Sequence, residues 1–338
     1  MPRTTLLAAL VTAVLFAAAT AVSLFVGARA VDPQVVWQVV SGLGLPGTGA
    51  ATMDEAVVSA RVPRTLTAIL VGAALAVAGA GLQGATRNPL GDPGLLGLTA
   101  GAALAVVVGL ALAPAAGPHA VALFAVGGAL AAGVVVVSAG RLGADSDTGL
   151  VLAGAAVTAG CTALTSALVV ALPGVLDRFR FWGLGSVART GMSELGAALP
   201  FVVLGLLLVL LGASTLDALA LGDDLARGLG VGPAAGRAAV LAGVVILSGV
   251  ATALAGPIAF LGLLVPHVLR RVVGAGHRAV FALSAFVGPA VVLLADTVGR
   301  VIAPPGEVAV GVMTAALGVP FLLVLLRRGG LRGAAVPA

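Results

Sequence analysis

The chain has 338 residues, of which 60% are hydrophobic and only 9% are charged. Soluble domains carry about a quarter charged residues, so the composition excludes a soluble globular protein and indicates a polytopic membrane protein. The formal net charge is +5 and all 18 basic residues are arginine. These arginines are dispersed between apolar runs and do not form the basic face of a nucleic-acid-binding protein.

Ten apolar segments are predicted to cross the bilayer. The first, residues 5–27, is longer than the apolar core of a signal peptide and is therefore interpreted as a membrane helix. The remaining segments are residues 65–83, 93–114, 118–139, 148–172, 192–213, 234–255, 257–273, 278–302 and 308–326. Because these segments use nearly the whole chain, residues 1–338 are predicted to form a single transmembrane domain with both termini on one side.

The arginines orient the chain in the membrane. Eleven of the 18 fall at predicted segment ends that share a side with the termini, and seven fall on the opposite side. Positive residues are enriched in cytoplasmic loops, so the side of the termini is predicted to be cytoplasmic. The seven outer arginines require a separate explanation.

The most informative stretch runs from Arg61 to Gly101. It contains R-V-P-R, then an apolar run rich in small residues, then a polar turn from Gln83 to Asp92. The turn includes R-N-P, which is expected to end the preceding helix because proline disfavours helix at the residue before it. Further motifs follow at residues 256–278 (GPIAFLGLLVPHVLRRVVGAGHR), 295–300 (ADTVGR) and 306–321 (GEVAVGVMTAALGVPF).

This ordered series resembles the FecCD-type permeases, the membrane subunits of ATP-driven importers for iron-siderophores, haem and cobalamin. The resemblance implies an all-α polytopic fold of the type II importer permease class, with about ten transmembrane helices. It implies a permease subunit that moves its cargo, interpreted as a ferric siderophore, inward by alternating access. Haem or cobalamin is the alternative cargo within the family. An ion-coupled secondary transporter is the alternative outside it.

The resemblance also implies partners. A cytoplasmic dimer of ABC ATPases would hold ATP and Mg²⁺, and an extracytoplasmic substrate-binding protein would deliver the cargo. A second permease subunit, identical or paralogous, would join this chain in the bilayer of the cytoplasmic (inner) membrane. The sequence agrees with this division, since a phosphate-binding P-loop requires a lysine and the chain has none. The chain itself is therefore predicted to be neither an enzyme nor a cofactor protein.

The loop between the sixth and seventh segments, about residues 214–233, is a candidate ATPase-coupling element. Two acidic residues stand where a short helix would begin, and two glycines stand where it would end. In the family this loop docks on the ATPase, although the residues alone are also typical of a solvated loop. The coupling role is assigned to Asp223, Asp224, Leu225, Arg227, Gly228 and Gly230.

Arg61, Arg64 and Arg300 match positions that receive acidic residues of the binding protein in similar permeases. The alternative is that these side chains only anchor helix ends in the interface. Asp296 lies four residues before Arg300, which is the spacing of an ion pair on one helix face. A structural Asp296–Arg300 pair is therefore predicted. A proton relay through Asp296, which a secondary transporter would need, is the alternative.

A pathway or gate role is predicted for polar and aromatic residues beside two segment ends: Gln83, Arg87, Asn88, Pro89, Arg178, Arg180 and Trp182. For the last three, a belt at the bilayer interface is the alternative. Pro266 and His267 interrupt the short eighth segment and are predicted to shape a helix end. No metal site is predicted, because a lone histidine without neighbouring Cys, Asp or Glu is a poor ligand set.

Overall fold

The computed structural model describes residues 3–42, 52–140, 146–172, 179, 182–220, 222, 224, 226, 232–304 and 306–327. This part of the chain is helical and contains no β-strand. The helices are α1 (Arg3–Phe25), α2 (Pro33–Val40), α3 (Met53–Thr86), α4 (Leu98–Leu112), α5 (Pro118–Gly140), α6 (Ser146–Ala171), α7 (Met192–Leu211), α8 (Ala213–Leu219), α9 (Pro233–Ala255), α10 (Leu261–Val273), α11 (His277–Ile302) and α12 (Val310–Arg327). A short 3₁₀ turn, Trp182–Leu184, precedes α7.

Seven of the described helices are long and apolar enough to cross a membrane, namely α1, α3, α5, α6, α7, α9 and α11. Two shorter apolar helices correspond to α4 and α12. The helix α10 is also short and contains Pro266. With these three, the described helices account for the segments predicted from the sequence, although several boundaries differ.

The largest boundary difference is at α3, which has 34 residues and begins at Met53, well before the predicted start at residue 65. At about 1.5 Å per residue the helix is about 51 Å long, whereas a bilayer core is about 30 Å thick. The first turns of α3 therefore extend beyond the apolar run. Thr52 and Glu55 form a capping box that fixes this start.

The helix α2 was not predicted, and it packs against this extension of α3. Val36 and Val39 of α2 are buried with Val58 of α3 in a small apolar cluster separate from the main core. Asp32 caps α2 by accepting a hydrogen bond from the backbone N–H of Gln34 at 2.8 Å. The described part of the region before the second membrane segment thus contains a helix.

The helix α3 lies at the centre of the bundle. It contacts α1, α7, α9, α10 and α11, and 83% of its apolar window is buried. Two crossings depend on glycine: a Cβ on Gly79 would lie 2.2 Å from the Gly262 backbone in α10, and one on Gly72 would lie 2.6 Å from Pro289 in α11. Small residues let helix backbones approach this closely in a membrane.

Candidate functional site

Charged side chains of the described residues gather at the two ends of the α3–α11 pair. At one end, the guanidinium of Arg64 in α3 donates from Nε and Nη2 to the carboxylate of Asp296 in α11 at 2.8–3.1 Å. Its Nη1 donates to Glu307 at 2.7 Å. Asp296 is 1% exposed and Arg64 is 15% exposed, so this is a nearly buried, two-pronged ion pair. We call these residues, with Arg61 and Arg300, the outer cluster, after the side of the membrane on which the sequence predicts them.

Arg61 and Arg300 of the outer cluster cap the C-terminus of α1. Arg61 donates from Nη1 to the carbonyl oxygens of Leu24 and Phe25 at 2.9 and 3.2 Å. Arg300 donates from Nη2 to the carbonyl of Ser23 at 3.1 Å. The last carbonyls of a helix lack intrahelical partners and carry partial negative charge. These two guanidinium groups therefore stabilise the end of α1 from neighbouring helices.

The outer cluster gives the three outer arginines contacts inside the chain. Arg61 and Arg300 are each only 5% exposed, because their guanidinium groups are used inside the chain. The docking role that the resemblance implies for Arg61 and Arg300 stays a prediction, and the structure adds these internal contacts to it. The most accessible ion pair of the cluster is the one between Arg64 and Glu307, because Glu307 is 42% exposed. We call this pair the Arg64–Glu307 edge.

The ion pair between Asp296 and Arg300 is present as the spacing predicts, but it is the weaker contact of Asp296. Nε of Arg300 lies 3.2 Å from Oδ2 of Asp296 without hydrogen-bond geometry. The stronger partner, Arg64, is 232 residues away in the chain, so no local spacing signals it. Asp296 is therefore held by two arginines, which makes it a structural anion rather than a free intramembrane acid.

At the opposite end of α3, Gln83 is buried and bridges two helices. Its Nε2 donates to the carbonyl of Gly262 in α10 at 2.9 Å, and its Oε1 accepts from Nη1 of Arg270. Gln83 is only 3% exposed. Both ends of the Gln83 amide are occupied within the chain, so the side chain fastens α10 to α3. The pathway role of Gln83 stays a prediction.

Two further arginines cap helix C-termini at this inner end. Nε of Arg237 in α9 donates to the carbonyl of Ala85 near the end of α3 at 2.6 Å. Nη2 of Arg87 donates to the carbonyl of Leu219, the last residue of α8, at 2.6 Å. Arg87 itself ends α3 in the left-handed conformation, with φ of 52°. The predicted break at R-N-P is thus observed, and the Arg87 side chain joins α3 to α8.

Two aspartates that were given no role from the sequence cap helix N-termini. Asp217 of α8 accepts a hydrogen bond from the backbone N–H of His277, the first residue of α11, at 2.9 Å. Asp92 is 2% exposed and accepts from the N–H groups of Gly94 and Leu95 at 2.8 and 3.2 Å. Asp92 also accepts from the backbone of Phe260 and Leu263 at the start of α10. Gly276 has no side chain for capping α11, which is the one sequence signal that its cap must come from elsewhere.

The other predicted site residues lie outside the outer cluster and outside the contacts of Gln83 and Arg87. Oδ1 of Asn88 accepts from the N–H of Leu90 at 2.9 Å, which shapes the turn around Pro89. Nε1 of Trp182 donates to the carbonyl of Ala253 at 3.3 Å, so its indole is fixed against α9. His267 packs edge-to-face on Phe321. Arg178 and Arg180 lie outside the described residues, as do Asp223, Leu225, Arg227, Gly228 and Gly230; Asp224 is described and exposed.

Two cavities of about 220 and 180 Å³ adjoin each other near Glu194, Ala253 and Leu254. Ligand sites usually occupy about 300–1,000 Å³, so each cavity is smaller than a chelate site. Among the described residues, no group of three or more His, Cys, Asp or Glu side chains converges as metal ligands would. Among the described residues, neither cavity therefore has the size or the ligands of a binding site for a metal chelate.

Comparison with known proteins identifies the family. The model of the FecCD transport family matches residues 13–328. The chain is 41% identical to the ferric enterobactin transport system permease protein FepD of Escherichia coli (strain K12), over 92% of each chain. It is 39% identical to the hemin transport system permease protein HmuU of Yersinia pestis, over 79% of this chain and 82% of that one.

A solved structure of a metal-chelate type ABC transporter in an inward-facing conformation shares the fold. The TM-score is 0.76 at 26% identity, and the match covers 96% of this chain and 99% of the other. The all-helical bundle, the motif series and the whole-chain matches agree with one another. The chain belongs to the FecCD transport family.

Proposed function

We propose that this chain is the transmembrane permease subunit of an ABC importer and that it moves a ferric siderophore inward across the cytoplasmic membrane. The cargo follows from relatives that are named for ferric enterobactin, Fe(3+)-citrate and iron(3+)-hydroxamate. Haem remains the second candidate because one relative is named for hemin. ATP and Mg²⁺ would be bound by separate ATPase subunits, since this chain has no lysine for a P-loop.

The proposal rests on the low hydropathy and the low burial of α6. Its apolar segment, Gly149–Ala171, has the lowest mean hydropathy of the seven long spans, and only 6% of it is buried. A helix that faces lipid should instead be among the most apolar. Thr162 and Ser166, one turn apart, are both exposed on it. The exposed face of α6 therefore suits a water-filled passage shared with a second permease subunit.

The distribution of polar side chains among the helices supports a mechanism. Buried ion pairs and helix caps hold α1, α3, α10 and α11 together, whereas α6 contributes weakly polar hydroxyls to its open face. An intact chelate needs a wide passage with weak contacts, because tight binding would prevent its release. Alternating access would then open the passage between two such subunits to each side in turn, driven by the ATPases.

Docking and coupling complete the proposal. Charge pairs at an accessible rim act mainly on encounter rate and register, so the Arg64–Glu307 edge, of which Glu307 is the exposed member, is the proposed charged contact for the binding protein. The segment following α8, including Asp223, Asp224 and Arg227, is the proposed contact for the ATPases. This topology has both chain termini in the cytoplasm, in accordance with the arginine distribution.

Reconstitution tests the function directly. Two permease copies, the ATPases and the binding protein are placed in proteoliposomes with ATP, and uptake of radiolabelled ferric siderophore is compared with uptake of hemin and cobalamin. We expect ATP-dependent uptake of the siderophore that persists when an uncoupler collapses the proton gradient. Loss of uptake with the uncoupler at constant ATP would favour an ion-coupled transporter instead.

The role of α6 has its own test because the chain contains a single cysteine, Cys161, in this helix. Thiols react with maleimides as thiolates, which form in water and not in lipid. We expect a membrane-impermeant maleimide to label Cys161 in at least one nucleotide state of the assembled complex. The Cys161→Ser variant serves as the unlabelled control. Absence of labelling in every state would contradict an aqueous passage along α6.

A further inference from the structure

The helix α11 begins without a capping side chain of its own. Its N-cap residue is Gly276, which makes no side-chain hydrogen bond. The first N–H groups of a helix have no intrahelical acceptor and form the positive end of the helix dipole. A separate element must supply the acceptor, and the order of this helix start then depends on that element being in position.

The acceptor is Asp217 of α8. Its Oδ1 accepts from the backbone N–H of His277 at 2.9 Å and lies 2.7 Å from Nδ1 of the same residue. The side chain of His277 is 10% exposed, whereas that of Asp217 is 41% exposed. One carboxylate oxygen thus holds both the backbone and the side chain of the residue that starts α11. We call this contact the α8–α11 clamp.

The clamp also reaches α3. A Cβ on Gly84 would lie 2.7 Å from Nε2 of His277, so the imidazole ring rests on the α3 backbone at the glycine. The ring of His277 also meets the ring of Phe281 edge-to-face, with 5.8 Å between the ring centroids. Arg87 adds a second connection between α8 and α3 through the carbonyl of Leu219. The short helix α8 is therefore fixed to the start of α11 and to the end of α3.

The far end of α11 is equally fixed. Asp296 lies 19 residues after His277, and at about 1.5 Å per residue this is about 29 Å, close to the thickness of a bilayer core. There Asp296 is bonded to Arg64, and Arg300 reaches the carbonyl of Ser23 in α1. A shift of α8 along the membrane normal is therefore carried by bonded contacts through α11 to the outer cluster.

We propose that Asp217 is a positioning residue for energy coupling: it links the ATPase-facing segment after α8 to α11, and α11 transmits the displacement to the outer face. This inference rests on the proposed importer function. The structure supplies the bonded contacts at both ends of α11, and the direction of transmission follows from α8 directly preceding the segment 221–231. Asp217 acts through His277 and does not contact cargo or nucleotide on this proposal.

The test uses the whole complex of permease, ATPases and binding protein in proteoliposomes. Ferric siderophore uptake and ATP hydrolysis are measured together, and their ratio is the readout. His277→Phe keeps the backbone N–H and the ring volume over Gly84 but removes Nδ1. Asp217→Ala removes the whole clamp. We expect cargo moved per ATP to fall about tenfold or more in Asp217→Ala, which removes both contacts of the carboxylate with His277, and by less in His277→Phe, which removes one of them.

The matched control is Thr52→Ala, which removes the N-cap of α3 on the outer side without touching the clamp. It should leave cargo per ATP unchanged. The double variant Asp217→Ala/His277→Phe should be no worse than Asp217→Ala, because both changes remove the same contact. A wild-type ratio in His277→Phe, or uptake and hydrolysis falling in proportion in both variants, would overturn the inference.

If Asp217→Ala does not assemble, His277→Phe alone decides the question by the same criterion. Failure of the proposed function is recognised separately. In that case the wild-type complex does not take up the siderophore at all, whereas failure of the clamp inference leaves wild-type uptake intact and the variants normally coupled.

Discussion

The guanidinium of Arg64 in α3 and the carboxylate of Asp296 in α11 form a two-pronged pair in which Asp296 is only 1% exposed. Around this pair, Arg61 and Arg300 occupy the three carbonyls at the end of α1. Three of the arginines that the sequence predicts on the outer side thus have partners inside the chain. They hold helix ends and helix pairs together.

The first prediction concerns the Arg64–Asp296 pair. Asp296→Ala should destabilise the protein by about 3–5 kcal/mol, because it removes the buried carboxylate that two nearly buried guanidinium groups share. The measurement is thermal unfolding of the purified subunit in nanodiscs. Arg29→Ala is the matched control, since it breaks the exposed Arg29–Asp54 pair, whose side chains are 58% and 34% exposed. That change should cost at most about 1 kcal/mol. Equal costs would contradict the central place of the buried pair.

The second prediction separates docking from capping at Arg61. Arg61→Gln removes the charge but keeps an N–H donor for the α1 carbonyls, whereas Arg61→Glu places an acid against them. If Arg61 acts as a cap, Gln should leave the association rate with the binding protein unchanged and Glu should lower protein stability.

Surface plasmon resonance across a salt series measures the association rate for these variants. Arg64→Gln is compared in parallel, and it should change the association rate at low salt if the Arg64–Glu307 edge is the docking contact. A larger change in association rate for Arg61→Gln than for Arg64→Gln would reverse this assignment.

The third prediction concerns the crossing of α3 and α10. Gly79→Ala should prevent close packing, because its Cβ would lie 2.2 Å from the backbone of Gly262 and backbone atoms cannot yield as a flexible side chain can. Overpacking of this kind costs about 1–3 kcal/mol or more. Gly127→Ala in α5 is the control, since no heavy atom lies within 4 Å of its added Cβ. Yield of monodisperse protein and its melting temperature should fall for the first variant only.

The fourth prediction tests the coupling segment. Changing Asp223, Asp224 and Arg227 together to alanine should weaken co-purification of the ATPases and lower cargo uptake in parallel. The reason is that these charges follow α8 in the sequence and belong to none of the apolar segments that are predicted to cross the bilayer. The purified subunit alone should bind no ATP. Wild-type co-purification and uptake in the triple variant would remove this segment from the ATPase interface.

Much of the architecture follows from the sequence alone. The apolar runs determine a polytopic helical membrane protein because every backbone polar group in a bilayer must be bonded within the chain, and helices achieve this locally. The end of α3 at Thr86 agrees with R-N-P, where proline disfavours helix at the preceding residue. The absence of lysine determines that a P-loop is missing. Each of these statements depends on neighbouring residues only.

The tertiary structure decided which groups meet. Arg64 and Asp296 are 232 residues apart, Asp217 and His277 are 60 apart, and no periodicity connects them. A helix end that lacks a local cap must be satisfied by some charged side chain, but packing selects which one. For the same reason, the sequence does not reveal that three polar side chains are buried in the fold, namely those of Gln83, Arg61 and Arg300. The sequence shows that a charged residue lies near the end of an apolar segment. Its partner is determined only when α1, α3 and α11 pack together.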